Sequence, residues 1–312
     1  MARVFVTGAG GYVGGALVAR LAEGRGHDVI ASARRWGPQQ QPASAFSRHV
    51  ADLRDDRVDW VSALAGVDVV VHCAALVHGA GRGQPEAAFM QANAASVERL
   101  AAAAARAGVR RFVLVSSIAV HGRRSDAAIA AQSPLAPADA YARSKLAGER
   151  ALNELCGRTG MTAVIIRPPM VYGPGAPGNF ARLLALLRRG APLPLPRVAN
   201  RRSFIGIDNL VDCLAHCITH ADAFGAYVVA DAEVPTTAQF VAAVAAAAGR
   251  PQRTLPVPAG AVSALARLLG RQASADSLIC SLWVDPSDGR RLGWDPAHSL
   301  EAGLIAAIRQ RD

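Results

Sequence analysis

The sequence predicts an α/β fold, a doubly wound parallel sheet followed by a smaller C-terminal α/β lobe. An apolar strand at residues 4–6 runs directly into the glycine-rich turn TGAGGYVG at 7–14, and the turn into an amphipathic helix. Short apolar segments then alternate with helix-length segments as far as residue 167, the pattern of strands covered on both faces by crossover helices. Beyond that point the pattern changes: Gly and Pro become dense between 173 and 196, which marks the passage to a second lobe. The expected domains are 1–168, taking back about 201–224, and 169–312.

Composition sets the class. At 312 residues, 51% of them apolar, the chain has ample core for one large or two moderate domains. No apolar run reaches the length of a membrane span, so no membrane insertion is expected. The first strand begins at residue 3, leaving no room for a signal peptide, and a cytoplasmic location is the default expectation. Five widely spread Cys do not make a disulfide framework. The net charge of +10 comes from scattered Arg without interleaved aromatics, which suits acidic small molecules and not nucleic acid.

The elements follow in order. In the first turn, Gly8 permits the bend, Gly11 lets backbone approach a pyrophosphate and Gly14 lets helix and strand pack; Tyr12 and Val13 open the helix, whose N-terminus faces the phosphates. The second strand, 28–33, ends at Ala33 where NAD enzymes carry an acidic residue for the ribose 2′-hydroxyl. Arg34 and Arg35 follow, so NADP(H) is favoured over NAD(H). A third strand, 49–53, ends in Asp52-Leu53. A fourth, 67–71, leads into His72-Cys73-Ala74-Ala75, small enough for a cofactor to come close, with His78 just beyond at a substrate pocket or simply in solvent. A long helix, 86–107, contains Asn93. The fifth strand, 112–116, delivers Ser116 and Ser117 at its C-terminal end, where doubly wound sheets place their chemistry. A polar, proline-broken loop at 122–138 precedes a helix from 141 to about 158.

That helix carries Tyr141-Ala142-Arg143-Ser144-Lys145. Of the 34 Lys and Arg residues 33 are Arg, and Lys145 is the sole lysine. It stands four residues after Tyr141, on the same helix face. An ammonium there favours the phenolate and draws the phenol down from its ordinary value near 10, as proton transfer requires. A sixth strand, 161–167, ends in RPPMVYGP, and Asn179 opens a helix over 180–189. Cys213, His216, Cys217 and His220 form a helical stripe, but at 1.5 Å per residue it is too long to close one tetrahedral site, so no metal is expected. The small lobe is expected to hold a strand at 227–230 and helices at 237–248 and 259–269.

With the Tyr141–Lys145 spacing, the upstream serine and the glycine-rich start, the chain resembles the extended short-chain dehydrogenase/reductases, whose sheet is the Rossmann type. Within them it is most similar to the nucleotide-sugar 4-epimerases and 4-keto-sugar reductases. SSIAVHG at 116–122 resembles the family's SSxxVYG, with His121 in place of Tyr; RRSFIGIDNL at 201–210 resembles RSFIxVDNL; LGWDPAHSLEAGL near the end resembles LGWxPxxSLEEGL. The resemblance implies that Ser117 binds the reacting oxygen, Ser116 bonding backbone instead; that Tyr141 moves its proton; and that Lys145 also bonds the nicotinamide ribose. It implies dinucleotide contacts at Gly8, Gly11, Tyr12, Val13, Arg34, Asp52, Leu53, Cys73, Ala74, Ala75 and Pro168, and sugar-nucleotide contacts at His78, Asn179 and Arg202. It implies a structural role for Asn93 and a homodimer built on the helices at 86–107 and 141–158. The expected activity is a UDP-4-keto-sugar 4-reductase of surface polysaccharide biosynthesis. The alternatives are a UDP-hexose 4-epimerase with retained NAD, a reductase of another ketone, and a non-catalytic dinucleotide sensor.

Overall fold

The computed structural model describes residues 1–24, 26–36, 46–77, 81, 83–196, 198–268 and 272–309. In chain order the strands are β1 (Ala2–Thr7), β2 (His27–Ala33), β3 (Ser47–Val50), β4 (Val69–His72), β5 (Arg111–Val115), β6 (Thr162–Arg167), β7 (Met170–Tyr172), β8 (Leu193–Pro196), β9 (Phe204–Gly206), β10 (Gly225–Val228) and β11 (Thr254–Val257). The helices are α1 (Tyr12–Gly24), α2 (Trp60–Ala63), α3 (Glu86–Met90), α4 (Ser96–Arg106), α5 (Ala140–Thr159), α6 (Asn179–Arg188), α7 (Ile207–Thr219), α8 (Thr237–Ala247), α9 (Ala259–Leu268), α10 (Gln272–Ile279), α11 (Ser287–Arg291) and α12 (Leu300–Arg309). Among the described residues no helix is long and apolar enough to cross a membrane.

The chain divides into two compact units. Unit 1 is Met1–Val120, Pro137–Arg167 and Val211–Tyr227; unit 2 is His121–Ala136, Pro168–Leu210 and Val228–Asp312. Unit 1 is built on a seven-stranded sheet of order β10-β6-β5-β4-β1-β2-β3, with every pairing from β3 to β6 parallel. Its strands read as near-continuous Val, Ile and Phe because both faces are covered. On one face Phe5, Val70, Phe112 and Ile165 pack with Trp60, Leu100 and Leu152, each residue of which contributes about 1.5–3 kcal/mol by leaving water. Strand order reverses between β1 and β4, so the crevice at the carboxyl ends of the sheet opens beside Thr7 and His72.

Three expectations are corrected. The third strand lies at Ser47–Val50, so Asp52 and Leu53 fall in the turn after it. The strand expected in the small lobe is β10, and it joins the main sheet beside β6. Residues 121–136, expected in the first domain, belong to unit 2. There Ile129 bridges Val284, the Ser125 N–H donates to Ser281 O at 2.9 Å and the Ala131 N–H to Asp288 Oδ2 at 2.6 Å. A loop lacking regular structure satisfies its backbone groups where partners exist, and these are on unit 2.

Unit 2 holds two short parallel pairs, β7 with β9 and β8 with β11. Its core is tied by one buried carboxylate. Asp231 accepts from Tyr172 Oη at 2.6 Å, from Asn209 Nδ2 at 2.7 Å and from the Gly206 N–H at 3.1 Å. Asn209 also exchanges hydrogen bonds with the backbone of His298, at 2.8 and 3.0 Å. Tyr172 is closed over by α12, where a side chain at Gly303 would come within 2.7 Å of the phenol oxygen.

Candidate active site

The cofactor cradle is set by glycines. Gly8 has φ +69°, a left-handed conformation, and a Cβ there would meet Ala74 N at 2.7 Å. The loops after β1 and β4 thus touch at the sheet's reversal point, which leaves no room for a side chain at Gly8. A Cβ at Gly14 would collide with the Gly8 carbonyl, and the Gly11 N–H closes the turn on Gly8 O at 2.8 Å. Tyr12 and Val13 form the first residues of α1, whose N-terminus opens from the turn. A helix N-terminus opening from a close glycine turn is a geometry suited to a phosphate group.

Ala33 ends β2 in the core, and Arg34 follows it exposed. The Arg54 guanidinium grips Asp52 through both carboxylate oxygens, at 3.1 and 2.7 Å, and holds its carboxyl down at about 2; Arg34 adds to the same field. Leu53 packs against the core, while its carbonyl takes Arg99 Nη1 at 3.0 Å. Pro168 is buried at the start of unit 2. His78 lies outside the described residues.

The reacting groups sit on β5 and α5. Asp139 caps α5, its Oδ1 accepting from the Ala142 N–H at 2.9 Å, which fixes the helix register two residues before Tyr141. Ser117, just past β5, is hydrogen-bonded to Tyr141, and its Oγ accepts from the Ala119 N–H at 3.2 Å. Lys145 is 2% exposed and its Nζ donates to Val115 O at 2.6 Å. The phenol does not follow the downward shift expected from the helical spacing. Burial raises it, more than the Ser117 hydrogen bond lowers it. Burial also brings the ammonium down to about 8, against an upward pull from Glu149.

Asn93 sits in a π-helical turn, Gln91–Ala95. Its side chain brackets Leu76, at 2.7 Å to the N–H and 3.0 Å to the carbonyl, and donates to Ser144 Oγ at 2.9 Å. It therefore staples the loop after β4 to α5, and Gly148 is small because the Asn93 carbonyl lies against it.

One buried network at the site was not anticipated. Glu149 accepts from Arg167 Nε at 3.0 Å and Nη2 at 2.6 Å, and also from Ser116 Oγ. Ser116, Glu149 and Arg167 are all at most 5% exposed. The signal was in the sequence: Glu149 repeats the four-residue step from Tyr141 to Lys145.

His72 is fully buried, with Nδ1 on Thr7 Oγ1 at 3.0 Å and Nε2 without a partner among the described residues. Burial, and then the Lys145 ammonium, hold it down at about 3. Between pH 6.5 and about 3 the unfolded chain binds a proton that the folded chain refuses, so this residue costs stability as pH falls, at about 1.4 kcal/mol per unit. Urea unfolding of His72→Gln should fall less steeply than wild type between pH 6.5 and 4.5. Parallel curves would show that His72 is protonated in the folded protein.

In unit 2, Asn179 is exposed in the first turn of α6, after Gly178 at φ +75°. Arg202 is held elsewhere, its Nη1 on Cys280 O at 3.1 Å and its N–H on Pro235 O at 3.0 Å. On α7, Cys213 and Cys217 are fully buried, whereas His216 and His220 stack at 4.7 Å and are partly exposed. Among the described residues no group of three or more His, Cys, Asp or Glu is placed to hold a metal ion.

Comparison with known proteins agrees with this geometry. The model of the NAD dependent epimerase/dehydratase family matches residues 4–230. A UDP-glucose 4-epimerase of Vibrio cholerae is 34% identical over 308 residues, 96% of this chain and 93% of that one. A 2-alkyl-3-oxoalkanoate reductase of Stenotrophomonas maltophilia is 28% identical, covering 97% of each chain. Among solved structures, UDP-glucuronic acid 4-epimerase from Bacillus cereus in complex with NAD superposes with TM-score 0.81 at 21% identity, over 98% of this chain and 96% of that one.

Proposed function

The chain belongs to the NAD-dependent epimerase/dehydratase family, and on that premise we propose that it is a 4-epimerase of UDP-activated hexoses working with retained NAD. It is an enzyme of the extended short-chain dehydrogenase/reductase type. The observation that carries the redox step is the Ser117–Tyr141 hydrogen bond with Lys145 buried one helix turn further on. The near full-length likeness to the Vibrio cholerae enzyme favours epimerisation over the single reduction that the sequence alone suggested.

NAD held at the Gly8–Gly14 turn would supply the hydride chemistry at sugar C4. Ser117 holds the C4 oxygen. Tyr141 accepts the hydroxyl proton as the ketone forms and gives it back as the alcohol is remade. Lys145 supplies the positive charge that offsets the burial cost of the phenolate. The turn at Gly8, Gly11 and α1 binds the pyrophosphate of NAD. Asn179 and Arg202 are proposed to hold the UDP diphosphate; a guanidinium has five donors, and Cys280 O takes one.

Ala33 and the exposed Arg34 favour a second reading, a 4-ketoreductase using NADPH, because β2 ends in an alanine followed by a guanidinium that can pair with a 2′-phosphate. The two separate in one experiment. Purified protein given UDP-glucose and no added nucleotide should form UDP-galactose, and mass spectrometry should find NAD released on denaturation. No conversion of UDP-glucose, together with reduction of a UDP-4-keto-sugar on addition of NADPH, would replace the epimerase with the reductase. Binding titration should give tighter NAD(H) than NADP(H), with Arg34→Ala changing NADP(H) affinity alone.

A further inference from the structure

Lys145 and Glu149 are adjacent turns of α5, and they are anchored on adjacent residues of one strand end. Lys145 Nζ donates to Val115 O at 2.6 Å, and Glu149 takes the hydroxyl of Ser116. Arg167, at the end of β6, locks the same carboxylate through two of its nitrogens, at 3.0 and 2.6 Å. β5 and β6 are joined here as well, the Ser116 N–H donating to Ile166 O at 2.7 Å. All four side chains are at most 5% exposed. An ion pair so deeply buried costs much of what it gains, so stability alone is a weak reason for it.

We propose that Glu149 is a positioning residue for Lys145: its carboxylate, fixed by Arg167 and Ser116, keeps the neighbouring ammonium charged and in register with the end of β5. The role in catalysis rests on the redox reading above; the role toward Lys145 does not. Of the groups around the ammonium Glu149 gives the larger upward pull, ahead of Cys73. His72 and Cys73, at the end of β4, are neutral, the first held near 3 and the second pushed up to about 12, in each case by burial first. Burial raises the Tyr141 phenol, which works against a standing anion beside Lys145. Arg167 is itself a cation. Burial alone strips the ammonium of its proton more readily, and Glu149 is the carboxylate that opposes it.

The solitary lysine makes the test direct. Lysine labelled with carbon-13 at Cε gives one side-chain resonance, whose titration is that of Lys145. In the NAD-bound protein, Glu149→Gln should lower the midpoint by about one pH unit, a tenfold change in proton affinity. The alkaline limb of the kcat profile should move down by the same amount. Should that variant fold poorly with Arg167 left unpaired, the double variant Glu149→Gln/Arg167→Gln removes both charges and should lower the midpoint in the same direction by a smaller amount. An unchanged midpoint in a folded variant would overturn the proposal and leave Glu149 a structural group. The resonance is read without turnover, so the outcome stands apart from the identity of the reaction; persistence of turnover in Tyr141→Phe would instead remove the redox reading.

Discussion

Tyr141→Phe should lower kcat by about 10²–10⁴-fold while leaving NAD bound. The substitution removes one oxygen and keeps the ring, so the packing of α5 against the sheet survives. Ser117 keeps its contact with the Ala119 N–H and can still hold the C4 oxygen. In the proposed mechanism, what is lost is the group that takes and returns the proton. Dinucleotide affinity should change little, because the Gly8–Gly14 turn and the start of α1 are untouched. Steady-state kinetics alongside NAD titration would separate the two effects. A fall in affinity with kcat preserved would make Tyr141 a binding residue.

Asp231→Ala should destabilise the protein by about 3–5 kcal/mol. It orphans three buried donors at once, Tyr172 Oη, Asn209 Nδ2 and the Gly206 N–H, each costing about 1–3 kcal/mol when left unpaired. Burial raises the Asp231 carboxyl even though all three donors pull it down, which shows how dry the position is. Asp231→Asn keeps an acceptor and should lose less, although its amide would face the amide of Asn209. Urea denaturation of the two variants would measure this order. Equal and small losses would mean that water reaches the network.

This knot gives physical meaning to motifs that sequence alone could only match. Tyr172 comes from RPPMVYGP, Gly206 and Asn209 from SFIGIDNL, and Gly303 from SLEAGL; in unit 2 they meet around one carboxylate. Asp231 belongs to no recognisable spacing, so only the fold could reveal it. The main sheet was legible because its buried strands are unbroken apolar runs. The third strand was misplaced because 49–53 is equally strand-like, and only pairing with β2 selects Ser47–Val50. β10 was assigned to the wrong lobe because a strand's sequence does not say which sheet edge it joins. At the candidate site, Tyr141 and Lys145 stood out by spacing and Ser117 by the likeness of SSIAVHG to a family motif. The environment of Tyr141 could not, since burial is a property of the packed neighbours and here it outweighs the helical step.

The fate of the hydrogen on C4 tests the central claim most directly. UDP-glucose carrying deuterium at C4 should yield UDP-galactose that retains the deuterium at C4 in ordinary water, because the nucleus leaves and returns within one closed site while Tyr141 handles only the oxygen-bound proton. Replacement of that deuterium by solvent hydrogen during turnover would contradict it, and would mean that the chain inverts its substrate by proton exchange at carbon.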